Sequence, residues 1–278
     1  MNLSQKNMTN KPLVTIITPT FNQGQFIEET IKSVLAQTYQ NIEYIILDAM
    51  STDNTATILD RYSDKITNII REKDKGQSDA IVKGFKLSKG ELVGWINSDD
   101  ILYPDCIEKI VNAYQHTPEA VLFYNSKINI ISEDGSFNNL VDVPVLDKDQ
   151  LLRHSPKLVQ PGSFYKKDAL IKVDYFNDSL QFSMDLDLWL RLLTIGRCIN
   201  LGSKPIASYR EWGGTKTSTG DTILLTERKA LLLSHGATLK DKTIRTIHFS
   251  LAKSFVKNLP VIGGICKAVV KHLKNFSR

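Results

Sequence analysis

Two adjacent carboxylates directly follow an apolar segment, in the tetrapeptide Asn97-Ser98-Asp99-Asp100. The preceding residues 92–96 predict a buried strand, and open α/β sheets bind their ligands at the carboxyl ends of strands. Carboxylates this close repel each other unless a cation lies between them or water screens them. A hard divalent cation that also binds substrate phosphates would satisfy both acids. Taken alone, the pair also fits a solvated acidic turn, which is the commoner setting for aspartate.

Polar side chains follow two other predicted strands. Asn22 comes shortly after the β-rich residues 14–18, and Asp48 directly follows residues 44–47. Because loops at the carboxyl ends of parallel strands converge on one crevice, we expect these groups to lie near the acidic tetrapeptide. The loop after the first strand has no Gly-x-Gly-x-x-Gly, and the chain has no Gly-x-x-x-x-Gly-Lys-Ser/Thr. These absences argue against dinucleotide-binding proteins and P-loop ATPases or kinases.

Strand-like and helix-like segments alternate through the first half of the chain and would position these residues. The predicted strands are residues 14–18, 44–47, 66–70 and 92–96, with helical stripes between them and a helix after Pro104. This order predicts an α/β fold with a doubly wound, mainly parallel central sheet and helices on both faces.

The second half of the chain is less regular. Residues 121–131 are β-rich and could form an antiparallel pair across the turn at 133–135. A helix that carries Trp189 is predicted to end before Gly196, and the chain is predicted to be helical beyond Thr222. We therefore expect one domain over residues 1–221 and a helical C-terminal extension over residues 222–278.

The net charge of +5 is unevenly distributed. Residues 228–278 contain eleven Lys and Arg and one acid, a net charge of +10, which leaves −5 on residues 1–227. The three cysteines form no disulfide or metal-binding pattern, residues 1–11 lack the apolar core of a secretory signal, and no apolar run reaches the ~20 residues of a spanning helix. These features predict a cytoplasmic protein.

The basic extension has amphipathic stripes. Apolar residues recur at helical spacing among lysines and arginines over residues 240–278, which favours peripheral contact with an anionic membrane at the inner face of the plasma membrane. The alternative is that the stripes pack against the preceding domain or a second copy of the chain in a homo-oligomer. No nucleic-acid recognition motif accompanies the charge, so nucleic acid is not an expected partner.

Several ordered motifs closely resemble family 2 glycosyltransferases of the GT-A fold. The resemblance covers roughly residues 12–217. Within the family, the chain resembles members that assemble bacterial cell-surface polysaccharides. It rests on the segments Val-Thr-Ile-Ile-Thr-Pro-Thr-Phe-Asn at 14–22, Ser-Val-Leu-Ala-Gln-Thr-Tyr at 33–39, Asp-Ala-Met-Ser-Thr-Asp-Asn-Thr at 48–55, Asp-Lys-Gly-Gln-Ser-Asp-Ala at 74–80, Trp-Ile-Asn-Ser-Asp-Asp at 95–100, Gln-Pro-Gly at 160–162 and Met-Asp-Leu-Asp-Leu-Trp-Leu-Arg at 184–191.

The resemblance implies a nucleotide-sugar donor, most simply a UDP-sugar. Asp48 would face the base of the nucleotide, together with the loop Thr20-Phe21-Asn22. Lys75 and Asp79 would lie near the ribose or the phosphates. The alternatives from the residues themselves are a turn or cap aspartate for Asp48 and a solvated loop lysine for Lys75.

The resemblance places Asn97, Ser98 and Asp99 beside the donor. Asp99 occupies the last acid of the family's Asp-x-Asp motif and would bind Mg²⁺ or Mn²⁺ at the diphosphate, with assistance from Asp100. Asn97 replaces the first acid of that motif, and an amide cannot supply the same charge.

Asp185 corresponds to the family's catalytic base, which deprotonates the acceptor hydroxyl. Its alternative role is an acid favoured in the first turn of a helix by the macrodipole. Asp187 lies four residues before Arg191, a spacing that predicts a structural ion pair. Two departures are Met184, where many relatives have Glu, and Trp212, where many have His. Gln160-Pro161 would line the acceptor side, and Arg210 and Lys216 could contact the diphosphate.

The sequence therefore predicts an inverting, metal-dependent hexosyl- or N-acetylhexosaminyl-transferase. Its acceptor would be a growing or lipid-linked glycan, with the product in a capsule, lipopolysaccharide or exopolysaccharide. One alternative is a non-catalytic nucleotide-sugar-binding partner subunit, which the departures at Asn97, Met184 and Trp212 keep open. The other is a nucleotidyltransferase, although residues 20–24 lack the basic side chains that would hold a triphosphate.

Overall fold

The computed structural model describes residues 11–257, and side chains at residues 216–221 and 255–257 are outside that description. The strands are β1 (Val14–Thr20), β2 (Ile42–Asp48), β3 (Asn68–Arg71), β4 (Leu92–Trp95), β5 (Ile101–Leu102), β6 (Leu122–Tyr124), β7 (Lys127–Ile131), β8 (Phe137–Asp142), β9 (Phe164–Lys166), β10 (Cys198–Asn200) and β11 (Ala207–Arg210). The helices are α1 (Ile27–Leu35), α2 (Thr55–Arg61), α3 (Gln77–Leu87), α4 (Cys106–His116), α5 (Lys167–Lys172), α6 (Met184–Ile195), α7 (Lys216–Ser234) and α8 (Lys242–Lys257). A π-helical turn spans Gln150–His154.

The central sheet has seven strands in the order β10-β6-β9-β4-β1-β2-β3. All neighbouring pairs are parallel except those of β9, which lies antiparallel between β4 and β6. Gly94 of β4 permits this insertion, because a Cβ there would lie 2.7 Å from the Phe164 ring of β9. The predicted mainly parallel sheet is confirmed, and β9 is the exception that the strand pattern did not predict.

Both faces of the sheet are covered. Neighbouring β1 residues divide between two apolar clusters: Ile16 packs with α1, α2 and α4, and Ile17 packs with α3 and α6. All seven residues of β1 are buried, as expected for a strand that is covered on both faces. The predicted two-sided α/β architecture is confirmed.

A second sheet of four strands, in the order β5-β11-β7-β8, lies beside the central one. The predicted antiparallel pair across residues 133–135 is confirmed as β7 and β8. The β-rich residues 121–131 nevertheless form two strands, β6 and β7, which belong to different sheets. Asn125 and Ser126 separate them, and Asn125 forms hydrogen bonds with the Lys127 and Lys204 carbonyls.

The described part of the C-terminal extension packs onto the preceding residues. The predicted boundary after residue 221 lies inside α7, and Leu232, Ile244 and Ile247 are buried in the same apolar cluster as Trp189. In the predicted amphipathic segment 240–278, the apolar residues Ile244, Ile247 and Leu251 thus pack against the rest of the chain, while residues 258–278 lie outside the described residues. The two-domain division itself remains a prediction. Within residues 11–257, no helix combines the length and apolarity needed to cross a bilayer.

Candidate active site

A cavity of 440 Å³ opens at the carboxyl ends of β1 and β4. Its lining brings together six of the predicted site residues: Thr20, Phe21, Asn97, Ser98, Asp99 and Asp185. Thr20 ends β1, residues 97–99 follow β4, and Asp185 lies in the first turn of α6. We call this space the donor-side cavity.

Asp100 is fully buried and lies behind the donor-side cavity rather than on its wall. Its Oδ1 accepts the backbone N–H of Arg210 at 3.0 Å, and its Oδ2 accepts Asn97 Nδ2–H at 3.1 Å. Burial and the neighbouring Asp99 carboxylate raise the pKa of Asp100 well above its ordinary value. These contacts favour a structural role for Asp100 and leave Asp99 as the acid that faces the cavity.

Asp99 is half-buried on the cavity wall. Its Oδ2 accepts Trp212 Nε1–H at 2.9 Å. Burial raises the pKa of Asp99, and the Trp212 hydrogen bond opposes that rise. Trp212 therefore replaces the family's histidine with a side chain that donates to the principal acid and cannot coordinate a metal.

The oxygen ligands that the cavity wall offers fit a divalent cation that is bound together with a substrate. Among the described residues, no group of three or more His, Cys, Asp or Glu could form a complete metal site. Mg²⁺ and similar ions bound to substrate phosphates commonly need only one or two protein carboxylates, with water in the remaining positions. Asp99 satisfies that smaller requirement.

Asn97 has a role that requires an amide. Its Oδ1 accepts Gln77 Nε2–H at 2.7 Å from the first turn of α3, while its Nδ2–H donates to Asp100. A carboxylate could accept from Gln77 but could not donate to Asp100. The departure from Asp-x-Asp at this position thus has a direct structural explanation.

Arg210 is 1% exposed and holds the backbone of residues 97–100 from inside the protein. Its Nε–H donates to the Asp99 carbonyl at 2.9 Å, Nη1–H donates to the Glu133 carbonyl at 2.9 Å, and Nη2–H donates to Glu29. Its guanidinium also lies over the Phe26 ring. The prediction that Arg210 contacts the diphosphate is not supported, because its side chain is committed to internal partners and absent from the cavity lining. The Lys216 side chain lies outside the described residues.

The predicted base-binding residues Asn22 and Asp48 connect loops and do not line the donor-side cavity. Asp48 is 1% exposed; its Oδ1 accepts the N–H and O–H of Ser51, and its Oδ2 accepts Arg71 Nε–H at 3.1 Å. Asn22 has a φ of 51° and accepts the Thr52 N–H, which ties the loop after β1 to the loop after β2.

Two polar atoms on the same side of the cavity lack partners. Thr20 Oγ1 and Gln23 Oε1 are buried and make no hydrogen bond within the described part of the chain. Both residues line the donor-side cavity. Buried polar atoms without partners are rare in folded proteins, so these two atoms are available to a bound ligand.

Lys75 and Asp79 lie beside the cavity rather than on its wall. The backbone N–H of Lys75, whose side chain is exposed, donates to Asp79 Oδ2 at 3.0 Å. Between them, Gly76 adopts a φ of 122° that strains other residues, and Gly76 and Gln77 line the cavity. This segment therefore presents backbone and amide groups to a ligand.

Asp185 faces two spaces at once. It lines the donor-side cavity and an adjoining cavity of 820 Å³, and Gln160 and Pro161 are also shared between the two. Burial raises the pKa of Asp185, and the nearby Arg228 guanidinium opposes that rise. A partly exposed carboxylate with a raised pKa, placed between two cavities, is suited to accept a proton.

The segment before Asp185 is held by Glu227 of α7. One carboxylate accepts three consecutive backbone N–H groups, from Gln181 at 2.6 Å, Phe182 at 2.8 Å and Ser183 at 2.7 Å. These groups precede or begin α6, where N–H donors have no intrahelical partner. Sequence reasoning missed Glu227, because an acid on a basic helical segment carries no signal that distinguishes it from a solvated charge.

Asp187 forms the predicted ion pair with Arg191, at 2.8 Å. The carboxylate is buried and also accepts from the Asn177 N–H and contacts His235 Nε2, each at 3.0 Å. It lines neither cavity around Asp185. The predicted ion pair is confirmed, and Asp187 also links α6 to the residue that directly follows α7.

The chain matches the model of glycosyl transferase family 2 over residues 15–173. It is similar to an uncharacterized glycosyltransferase of Rickettsia typhi, with 28% identity over 96% of this chain and 92% of the relative. Other rickettsial relatives are longer, and the chain spans 32% of one from Rickettsia felis.

Solved structures of glycosyltransferases have the same fold. S. aureus TarS in complex with UDP-GlcNAc matches with a TM-score of 0.69 at 17% identity, over 90% of this chain and 76% of that one. A Pyrobaculum calidifontis mannosyltransferase in complex with GDP-Man and Mn²⁺ matches with a TM-score of 0.56 at 16% identity, over 97% of this chain and 84% of that one. The predicted GT-A fold is confirmed, and since the family model covers more than half of the sequence, the chain belongs to glycosyl transferase family 2.

Proposed function

We propose that the chain transfers a hexose or N-acetylhexosamine from a nucleoside diphosphate sugar, most simply a UDP-sugar, to a hydroxyl acceptor with inversion at the anomeric carbon. The observation that carries the proposal is that Asp99 and Asp185 line one cavity while Asp185 also lines a second. A donor diphosphate beside Asp99 and an acceptor hydroxyl beside Asp185 would place the sugar between them.

The reaction then follows from the two carboxylates. Asp185 accepts the proton of the acceptor hydroxyl, whose oxygen forms a bond to the anomeric carbon as the bond to the diphosphate oxygen breaks. The electron pair of that bond stays on the nucleoside diphosphate. Mg²⁺ or Mn²⁺ held by Asp99 would stabilise the charge that develops there. The raised pKa of Asp185 makes it a stronger base than an ordinary aspartate.

The nucleotide would lie along the carboxyl ends of β1 and β2. Thr20, Phe21 and Gln23 offer a cavity wall with two unpartnered polar atoms, and Asp48 with Asn22 would support that wall from behind. Ser98 and Asn97 are adjacent to the proposed metal ligand. Lys75 and Asp79 would shape the loop whose Gly76 and Gln77 face the donor.

The acceptor is proposed to be a growing or lipid-linked glycan of a cell-surface polysaccharide. Contact with the inner face of the plasma membrane would then use the exposed cations of α8, such as Arg245 and Lys253, together with the basic residues that follow them. Flotation of the full chain with anionic and neutral vesicles tests this contact. Equal recovery with both vesicle types would contradict it.

The transfer itself is tested by release of nucleoside diphosphate from a panel of UDP- and GDP-sugars with Mn²⁺ or Mg²⁺. We expect Asp185→Asn to lose at least about 100-fold in turnover while it still binds the donor. Asp99→Asn should lose the dependence on metal concentration. Asp60→Asn, an exposed acid on α2, serves as the matched control.

Two results would overturn the proposal. If Asp185→Asn turns over as fast as wild type, Asp185 is not the base. If wild type is thermally stabilised by a donor but releases no nucleotide with any sugar or acceptor mixture, the non-catalytic binding subunit is the better description.

A further inference from the structure

The 820 Å³ cavity on the far side of Asp185, called the acceptor-side cavity, is large enough for a disaccharide-sized ligand. Ile128, Ile130 and Val159 provide a buried apolar floor. The charged residues on its wall are Asp185, Arg228, Lys157 and Glu211. Such a combination suits a ligand that has both apolar ring faces and a charged group.

Arg228 is the cation set deepest in this wall. It is half-buried, and its Nε–H is buried with no hydrogen-bond partner among the described residues. No ion pair among the described side chains includes it at 4.0 Å or less, although its charge acts on Asp185. Its neighbour Glu227 is committed to three backbone N–H groups and is not its counter-ion. A buried guanidinium N–H without an acceptor is costly, so a ligand oxygen is the natural partner.

The location of Arg228 assigns that ligand oxygen to the acceptor. Arg228 lines the acceptor-side cavity and is absent from the donor-side cavity, so the donor diphosphate is not the anion it faces. Lys157 adds a second, exposed cation on the same wall. Glu211 is the opposing exposed acid, but solvent screens an exposed charge far more than a half-buried one.

We propose that the acceptor carries an anionic group, a phosphate or a carboxylate, next to the hydroxyl that receives the sugar, and that Arg228 binds this group. The guanidinium matches either oxyanion with paired N–H donors, which an ammonium does not. This inference rests on the proposed role of Asp185 as the base. It narrows the acceptor to acidic glycans or phosphate-linked chains.

Binding of small probes tests the inference without turnover. Glycerol 3-phosphate and methyl β-glucuronide supply the two anions, and glycerol and methyl β-glucoside are their neutral counterparts. Each is titrated by ligand-observed NMR into the UDP-saturated full chain, for wild type, Arg228→Gln, Arg228→Lys and the control Arg61→Gln. Arg61 is an exposed cation at the end of α2 that lines neither cavity.

We expect at least one anionic probe to bind wild type and the control more tightly than its neutral counterpart. Arg228→Gln should weaken that probe by about tenfold, Arg228→Lys should weaken it less, and neutral probes should be unaffected. Preference for the phosphate probe indicates a phosphate-linked acceptor, and preference for the glucuronide indicates an acidic sugar. UDP affinity should stay unchanged in all variants, so a failure of donor binding is separately visible.

Two results would overturn the inference. One is equal binding of anionic and neutral probes to wild type. The other is a lower melting temperature in Arg228→Gln with anion binding unchanged, because this would mean that Arg228 only stabilises Asp185 and the fold.

Discussion

Removal of the Glu227 carboxylate should disturb both the stability of the chain and the position of Asp185. Glu227 accepts three N–H groups from residues 181–183, and Asp185 follows two residues later. Gln181 and Phe182 also line the donor-side cavity. Glu227→Ala removes all three acceptors at once, while Glu227→Gln keeps one amide oxygen and turns an NH₂ group toward a backbone N–H.

The magnitude depends on which N–H groups water can reach. A hydrogen bond to a charged group contributes about 1.5–3 kcal/mol when the alternative is a buried, unpaired donor. Ser183 is fully buried, so its N–H would lose this free energy when the acceptor is removed. Gln181 is exposed, so its N–H can donate to water instead. We therefore expect Glu227→Ala to lower the free energy of unfolding by about 2–4 kcal/mol. At about 2–4 °C per kcal/mol for a chain of this size, the melting temperature should fall by about 4–16 °C.

Turnover should fall by more than the stability change alone explains. A catalytic group displaced by about 1 Å can cost about 100-fold in rate, so we expect kcat to fall by about 10- to 100-fold at a temperature where the variant is folded. KM for the donor should rise, because the displaced segment forms part of its cavity. Glu227→Gln should change both kcat and KM by less than Glu227→Ala does.

Differential scanning fluorimetry and nucleotide-release kinetics measure the two effects on the same samples. Glu108→Ala is the matched control, since this exposed helical carboxylate accepts one hydroxyl bond, from Thr38, and no backbone N–H bond from the described residues. It should change the melting temperature by no more than about 2 °C. If Glu227→Ala resembles this control in both assays, Glu227 does not position Asp185.

Three further outcomes follow from the contacts of the acids. Burial raises the pKa of Asp185, so kcat should rise with pH through a pKa above the ordinary aspartate value, and a profile that is flat down to about pH 4 would contradict this. Trp212→Phe keeps an aromatic ring but loses the N–H hydrogen bond to Asp99, so the Mn²⁺ concentration for half-maximal rate should rise about tenfold. An unchanged metal titration would argue against Trp212 as the residue that orients Asp99. Asn97→Asp places a carboxylate against Asp100 in place of a hydrogen-bond donor, so it should lower the free energy of unfolding by about 1–3 kcal/mol without tighter Mn²⁺ binding. A gain in metal affinity with an unchanged melting temperature would refute that expectation.

The sequence predicted the parts of the fold that depend on local pattern. Apolar runs and helical stripes gave the parallel strands and their helices, and the spacing of Asp187 and Arg191 gave their ion pair. Shared sheet topology was enough to bring Thr20 and Asp99 to one cavity, because strand ends converge. These predictions needed no knowledge of which distant residues touch.

The rest of the site depends on contacts between residues far apart in the chain. Glu227 reaches residues 181–183 across 44 to 46 positions, and Trp212 reaches Asp99 across 113. A charge on an amphipathic helix has the same local pattern whether it is solvated or bound to a backbone N–H. The antiparallel insertion of β9 between β4 and β6 is equally non-local. Such features follow from packing rather than from periodicity.

The acidic tetrapeptide shows how packing separates two chemically identical side chains. Asp100 has both oxygens occupied by the Arg210 N–H and the Asn97 amide, and burial beside Asp99 raises its pKa well above the ordinary aspartate value, so its side chain is held inside the protein and does not face a ligand. Asp99, one residue earlier, has its backbone held by Arg210 and its side chain on the cavity wall. One acid therefore anchors the loop so that the other can face a ligand, and the amide at position 97 is the donor that makes this division possible.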